Sequence, residues 1–475
     1  MKRSLLVLSL ALAVLLGFYA CQESASRPKT IAILAVNDMH SAIDVMPQFA
    51  ALADSLRTVY PELLVFSAGD NRTGNPINDQ YRPANHPMIA LMNQVGFDLS
   101  ALGNHEWDGG IDALRENIEE ARFPFICANV FIPEQLALDV APYVILENQG
   151  VKIAVLGLLE TRQSGIPGAH PKYFKEISFK KGIDVIPDYL FLKDQSEAFL
   201  LLSHLGFEGD REVAERFPQF DAIIGGHSHT LVEPPVKHHG VLITQAGSSL
   251  NYATLTLITV NDGKVAEVTA QIFDLQHRKK ADKEIQAMVD GFNGDNRFDE
   301  VLAVALTDFK NREELGCMVC DGVRAGSGAD FAFNNTGGIR RDYLKKGPIT
   351  VKDVYNIDPF GNDVVVYTMT GKQLERFIME TYKKNGRQPS FVSGMSYQVN
   401  TDRDGYPKSV TFKLDHGQYS KDAKYKVAMN SYMVSTLRFE SVDEGESQFM
   451  TSEEMVIQYL CEQKTVSYRG VHRVE

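Results

Sequence analysis

The chain has 475 residues, enough for two domains rather than one core, and its 44% hydrophobic and 23% charged content is ordinary for a soluble globular protein. A formal charge of −13 excludes a broad basic surface for nucleic acid or an anionic membrane, so an anionic substrate has to be attracted by local cations. Five cysteines in so long a chain exclude a disulfide scaffold.

At the N-terminus, Lys2 and Arg3 precede an apolar stretch from Leu5 to Leu16 that is too short to span a bilayer. This is the layout of a secretory signal peptide over residues 1–20. Ala20 before Cys21 predicts cleavage there and lipid attachment to the cysteine, with 21–29 as a tether. From 30 to 275, apolar runs rich in β-branched residues predict buried strands, among them "TIAILAV", "ELLVFSA", "FDLSAL", "VKIAVLGLL", "AFLLLS", "DAIIGG" and "VLITQ". Helix-period segments such as 47–60 and 109–123 lie between several of them, so this domain reads as α/β with polar residues gathered at strand ends.

"LTLITVNDGKVAEVTAQIFDL" alternates around Asn261-Asp262-Gly263 and predicts a hairpin that closes the first domain. The charged, helix-period segment 276–300 predicts a linker helix, and a second domain follows over 301–475. There, helix signals fall at 312–326, strands in "DFAFNNTGG", "DVVVYTMTG" and "YKVAMNSYM", and a hairpin in "SVTFKLDHGQYSKDAKYKVAM". Cys317 and Cys320 form a CxxC in a helical stretch whose apolar neighbours favour two small buried residues over a redox pair.

Five strand ends carry Asp, Asn or His and no Cys: Asp38 and His40, Asp70, Asn104 with His105, His204, then His227 and His229. Each alone is an ordinary turn or buried histidine. Together they exclude a cysteine-rich structural zinc site and suit hard-to-borderline ions such as Zn²⁺, Mn²⁺ or Fe²⁺. Within "GNHEWD", Glu106 reads as hydrogen-bonding support and Trp107, the sole tryptophan, as packing; His238 and His239 read as solvated.

In order and spacing, "NDMH", "GDNRTGNP", "GNHEWD", "LSHLG" and "GGHSH" resemble the calcineurin-like metallophosphatases. More narrowly they resemble the two-domain 5'-nucleotidase / UDP-sugar hydrolase family, whose C-terminal domain is similar to "NTGGIRRD…GPITVKDVYNIDPFGNDVVVYTMTGKQL". The resemblance implies a four-layer αββα metallophosphatase domain and a C-terminal α/β substrate-binding domain. It implies two divalent metal ions, one held by Asp38, His40 and His229, the other by Asn104, His204 and His227, with Asp70 bridging. It makes His105 the catalytic histidine, oriented by Asp108. Arg340 then holds the substrate phosphate, Phe360 and Asn362 meet a nucleobase, Tyr432 is a second stacking aromatic, and Arg312 is a weaker substrate candidate.

The implied protein is an exported phosphoesterase, foremost a 5'-nucleotidase, with UDP-sugars or 2',3'-cyclic nucleotides as further substrates. It is a lipoprotein of a bacterial cell envelope, touching the membrane only through the lipid on Cys21. One departure stands out. Where the family has "GGDGY", whose Asp holds the ribose hydroxyls, this chain places Arg438, which accepts no O–H. Either Glu440 or Asp443 takes over, or the substrate is not a common nucleoside. The alternatives are a thiosulfohydrolase-like or other non-nucleotide phosphoesterase with a rebuilt pocket, and a non-catalytic nucleotide-binding lipoprotein, which predicts decayed ligands.

Overall fold

Lys29–Val36 (β1) is apolar on both faces: Ile31, Ile33 and Ala35 enter one core, Ala32, Leu34 and Val36 another. Such a strand has to lie between layers. The computed structural model, which describes residues 28–162, 165–294 and 296–474, puts it there. The predicted leader and Cys21 lie outside the described residues.

Four short strands join β1 in parallel, in the order β2 (Leu64–Ser67), β3 (Leu99–Ala101), β4 (Phe125–Ile126) and β5 (Val140–Ala141). A second sheet contains β6 (Tyr143–Asn148), β7 (Val151–Leu159), β8 (Ala198–His204), β9 (Ala222–Gly225), β10 (Val236–His238) and β11 (Val241–Thr244). Its order is β10-β11-β9-β8-β7-β6, parallel from β11 to β7. β12 (Tyr252–Asn261) and β13 (Lys264–Asp274) form the hairpin expected around Asn261-Asp262-Gly263. β12 pairs antiparallel with β1 and completes the first, seven-stranded sheet.

The two sheets pack face to face, Ile33, Phe66 and Leu99 against Val155, Leu200 and Ile224. Outside the first sheet lie α1 (Met46–Arg57), α2 (His86–Val95) and α3 (Gly110–Glu120); outside the second lies α4 (Phe207–Arg216), through Val213 and Ala214. The result is the four-layer αββα sandwich that the resemblance implies. α5 (Lys283–Asn293), within the segment read as a linker, begins at an Asp282 cap and buries Ile285 and Val289 in the same core as Phe49 and Leu91. It is anchored to the sandwich rather than free.

The remaining chain builds β14 (Val301–Ala305), α6 (Arg312–Ser327), β15 (Phe331–Asn334), β16 (Gly347–Thr350), α7 (Val351–Ile357), β17 (Asp363–Thr370) and α8 (Gly371–Lys384). It continues with β18 (Phe391–Ser393), β19 (Met395–Thr401), β20 (Pro407–Leu414), β21 (Lys424–Asn430), α9 (Ser431–Thr436), β22 (Glu446–Thr451) and α10 (Ser452–Gln463). The central sheet runs β18-β15-β21-β17-β22. α6 and α10 cover one face, and α8 with the β19–β20 ribbon covers the other.

The hairpin expected within 409–429 does not form. β20 pairs with β19, whereas β21 enters the central sheet between β15 and β17. Burial explains the split. Val427, Ala428 and Met429 are buried in succession and need cover on both faces, while β20 buries only Val410 and suits a one-sided ribbon.

Gly322 of α6 admits Val456 of α10, since a Cβ there would stand 2.9 Å from the Val456 Cα. Cys317 and Cys320, also on α6, are free thiols buried in the same core, and burial pushes Cys317 up to about 12. A chain beginning after Cys21 should therefore react quickly with a thiol reagent only at Cys461, the one half-buried cysteine of the four described. Fast native labelling of Cys317 or Cys320, read by mass spectrometry, would contradict the packing role.

Candidate active site

β1, β2, β3, β8 and β9 all end at the same edge of the sandwich, and the loops that leave them carry the donor residues. Asp38 N–H donates to Gly69 O (2.9 Å) and His40 N–H to Asp70 O (3.0 Å), which stitches the first two loops together. A Cβ on Gly103 would stand 2.2 Å from Asp70 Oδ1, so the third loop can close on the second only with glycine there. Asp38, His40, Asp70, His227 and His229 have φ between 47° and 76°, a left-handed conformation that non-glycine residues adopt at a cost. Strain gathered at five such residues marks a site that the surrounding structure enforces.

Glu106 does much of that enforcing. Fully buried, its carboxylate accepts from Gly103 N–H (2.6 Å), Asp70 N–H (3.0 Å) and Asn71 N–H (2.7 Å), tying the second and third loops together. This is the supporting role expected of it. Trp107 is buried against the edges of Phe174 and Phe179, which is packing as expected.

Two donor groups result. In one, the Nε2 atoms of His40 and His229 are 2.9 Å apart, and Asp38 Oδ1 lies 3.9 Å and 3.4 Å from them. In the other, His204 Nε2 lies 3.2 Å from Asp70 Oδ2, and His227 Nδ1 lies 3.0 Å from Asn104 Oδ1. Donors bound about 2.0–2.2 Å from a common ion stand roughly 3–4 Å apart, and both groups have that spacing.

The hydrogen bonding also suits a cation. His204 Nδ1–H donates to Ala68 O (2.7 Å) and His40 Nδ1–H to Thr73 O (3.1 Å), so each leaves an Nε2 lone pair facing the group. Asn104 Nδ2 turns to Gly168 O, which leaves its Oδ1 facing His227. Asp38 Oδ2 accepts from Asn37 and from His227 N–H, whereas the buried Oδ1 has no hydrogen-bond partner and points at the histidines. These residues fit a pair of divalent cations.

The electrostatics are those of packed opposite charge. Burial opposes ionisation of Asp70, but His204 and His105 outweigh it and hold its carboxyl well below the usual range. Burial likewise opposes charge on His204, yet Asp70 pushes it up to about 10. His227 goes the other way, down to about 3, through burial and the neighbouring His204.

Beside these groups, His105 Nδ1 lies 2.6 Å from Asp108 Oδ2, which also accepts from Thr73 Oγ1 (2.8 Å). The opposite wall comes from the second domain. Arg340 Nη2 reaches to 3.1 Å from His40 Nε2, and its guanidinium carbon lies 5.9 Å from the centre of the Phe360 ring. Phe360 lies 5.9 Å from the His105 ring, and Asn362 and Tyr432 line the same cleft.

The structure thus gathers every site residue expected from the sequence except Arg312, which pairs on the surface with Asp342 (2.8 Å). Neither acid considered for the ribose reaches the cleft: Glu440 binds Arg376, and Asp443 accepts from Thr368 N–H. Among the described residues the carboxylates lining the cleft are Asp70 and Asp108. Arg162, His170 and Tyr173, on the loop after β7, line it without having been anticipated; Arg162 donates to the Tyr432 hydroxyl across the domain boundary. Their only signal was a polar loop at a strand end, without a donor motif.

Residues 31–231 match the calcineurin-like phosphoesterase family, and residues 300–437 match the 5'-nucleotidase C-terminal domain. Protein UshA of Yersinia enterocolitica is 27% identical over 85% of this chain and 86% of its own length. Endonuclease YhcR of Bacillus subtilis is 25% identical over 88% of this chain, which spans 38% of that relative's length. The crystal structure of a 5'-nucleotidase precursor from Thermus thermophilus superposes with a TM-score of 0.82 at 24% identity, covering 94% of this chain and 99% of that one. With a metallophosphatase sandwich carrying the donor residues and the matching C-terminal domain closing over them, the chain belongs to the two-domain 5'-nucleotidase family of calcineurin-like phosphoesterases.

Proposed function

We propose that this chain, a hydrolase of phosphate esters, acts on nucleoside monophosphates, with residues 30–275 cleaving, 301–475 selecting and 276–300 joining them. The observation that carries this reading is the meeting of both donor groups, the His105–Asp108 pair and the Arg340–Phe360 pair in one cleft. In this reading Asp38, His40 and His229 hold one divalent ion, Asn104, His204 and His227 hold a second, and Asp70 lies between them. Such a pair of ions, when bound, acidifies a water and draws charge from the phosphoryl oxygens.

This chain's own groups do the rest. Asp108 accepts from His105 Nδ1–H, which fixes the ring and supports its positive form, so Nε2 can give a proton to the departing oxygen. The Arg340 guanidinium holds the phosphate from the second domain. Phe360 and Tyr432 offer aromatic faces to a base. With no carboxylate at that end of the cleft among the described residues, the nucleotide is gripped by phosphate and base rather than by ribose. The Cys21 leader supports export, with a lipid as the contact to the membrane; no helix among the described residues is long and apolar enough to cross one.

Phosphate release by residues 22–475 with Mn²⁺ or Zn²⁺ should favour AMP over ribose 5-phosphate. Equal turnover of the bare sugar phosphate would sink the nucleotide reading. AMP and dAMP should differ by less than about 5-fold in kcat/KM, because a site that does not bind a hydroxyl discriminates weakly against its loss. His105→Ala should lower kcat by about 10²–10⁴-fold with metal content unchanged; loss of metal alongside activity would make His105 a ligand instead. Glu106→Ala should weaken metal retention against a chelator by roughly 10–100-fold, with Glu106→Gln in between, because it supports the loops that hold the ligands.

A further inference from the structure

The loop Asp358–Asn362 carries Phe360 and Asn362, and it is held from behind by an arrangement that the catalytic reading does not use. Asp358 ends α7 and is 1% exposed; Glu453, in the first turn of α10, is wholly buried. Glu453 Oε1 accepts from Gly361 N–H at 2.6 Å. The buried Ser452 hydroxyl lies 2.7 Å from Asp358 Oδ2 and 3.4 Å from Glu453 Oε2, so it bridges the two carboxylates with one proton. Ser452 N–H donates to Asn362 O (3.0 Å), and Arg340 N–H donates to Ile357 O (2.8 Å), one residue before Asp358. The backbone of Arg340 and the loop of Phe360 therefore rest on one corner.

Two acids in one burial are costly unless they do something there. The helix start favours a carboxylate at Glu453, but an exposed one would satisfy the helix equally well. What a buried carboxyl oxygen supplies is a fixed acceptor for Gly361, a residue with φ of 59° directly after Phe360. We propose that Glu453 and Asp358 are positioning residues: a buried carboxyl pair that sets the Asp358–Asn362 loop and the Arg340 backbone so that ring and guanidinium meet the substrate together. The proposal rests on Phe360 and Arg340 being substrate contacts.

Burial, then the neighbouring Asp358, pushes Glu453 up to about 8, and burial pushes Asp358 up to about 6. Tyr355 on α7 and Glu454 on α10 are the other titratable groups of this packing, and the charge of Glu453 acts on Tyr355. Both carboxyls lie above their unfolded values. The pair's contribution is therefore complete at low pH and is lost as pH rises through about 8, when two charges share the site.

The test uses the metal-loaded chain, AMP, and bis(p-nitrophenyl) phosphate as a reporter of the metal centre that needs no base contact. Glu453→Ala should raise KM for AMP by about 10-fold or more, the effect of leaving a buried donor unpaired, with a clearly smaller loss on the reporter, which shares the Arg340 contact to phosphate but not the base contact. Glu453→Gln keeps an acceptor for Gly361 and should restore most of the AMP affinity. It should also remove the rise in KM that wild type shows relative to it between pH 6 and 9. An unchanged KM in Glu453→Ala, or equal losses with both substrates, would overturn the proposal. If wild type ignores AMP yet turns over the reporter, the nucleotide reading fails by itself. The pair is then judged by hydrogen exchange: Glu453→Ala should speed exchange at 359–363 more than elsewhere in the second domain, and uniform or unchanged exchange would overturn it.

Discussion

Three acids, Asp38, Asp70 and Glu106, are buried within a few hydrogen bonds of one another at the edge of the sandwich, and much of the first domain is arranged around keeping them there. A buried carboxylate has to be paired or fully hydrogen-bonded. The loops spend backbone N–H groups on this: three for Glu106, one each for Asp38 and Asp70. What those donors leave over is directional. Asp38 Oδ1, Asp70 Oδ2 and the imidazole lone pairs face shared volumes, and the left-handed conformations are the geometric cost of aiming them. Sheet order explains why the loops can meet at all, since β1, β2 and β3 are parallel neighbours, as are β8 and β9.

The second domain contributes a different kind of part. The residues it brings to the cleft lie on the loops after β15 and α7 and on α9, and the first and last of these leave the parallel neighbours β15 and β21. The consequence is modularity in the proposed reaction. Residues proposed to carry the bond cleavage belong to one rigid edge, and residues proposed to choose the leaving group belong to the other domain. Arg162 and Tyr432 form a direct link between the two beside the cleft.

The sandwich and its donor residues were legible because two signals coincided: a doubly buried strand is a continuous apolar run, and a metal-type residue at its end stands out against it. His105 was legible through the family resemblance, and Asp108 through its place three residues on. Arg162 and Tyr173 were not, because their place depends on a wall supplied by residues far away in sequence. Alternation in β20 and β21 announced strands but could not name partners, since pairing follows from which faces need cover. Glu453 carries no signal of its own in the sequence: it stands in "TSEEM" beside Glu454, which takes the capping role. Only the approach of Gly361, 92 residues earlier, sets Glu453 apart.

Trp107 has been described only as packing, yet it is the single indole in the chain. It is fully buried, two residues after His105 and directly before Asp108, and lies edge-on to Phe174 and Phe179. Its emission therefore originates from one place, next to the proposed chemistry, with no background from other tryptophans. The molecule carries its own optical probe, through which arrival of a quenching cation at the neighbouring loops can be followed without attaching a label.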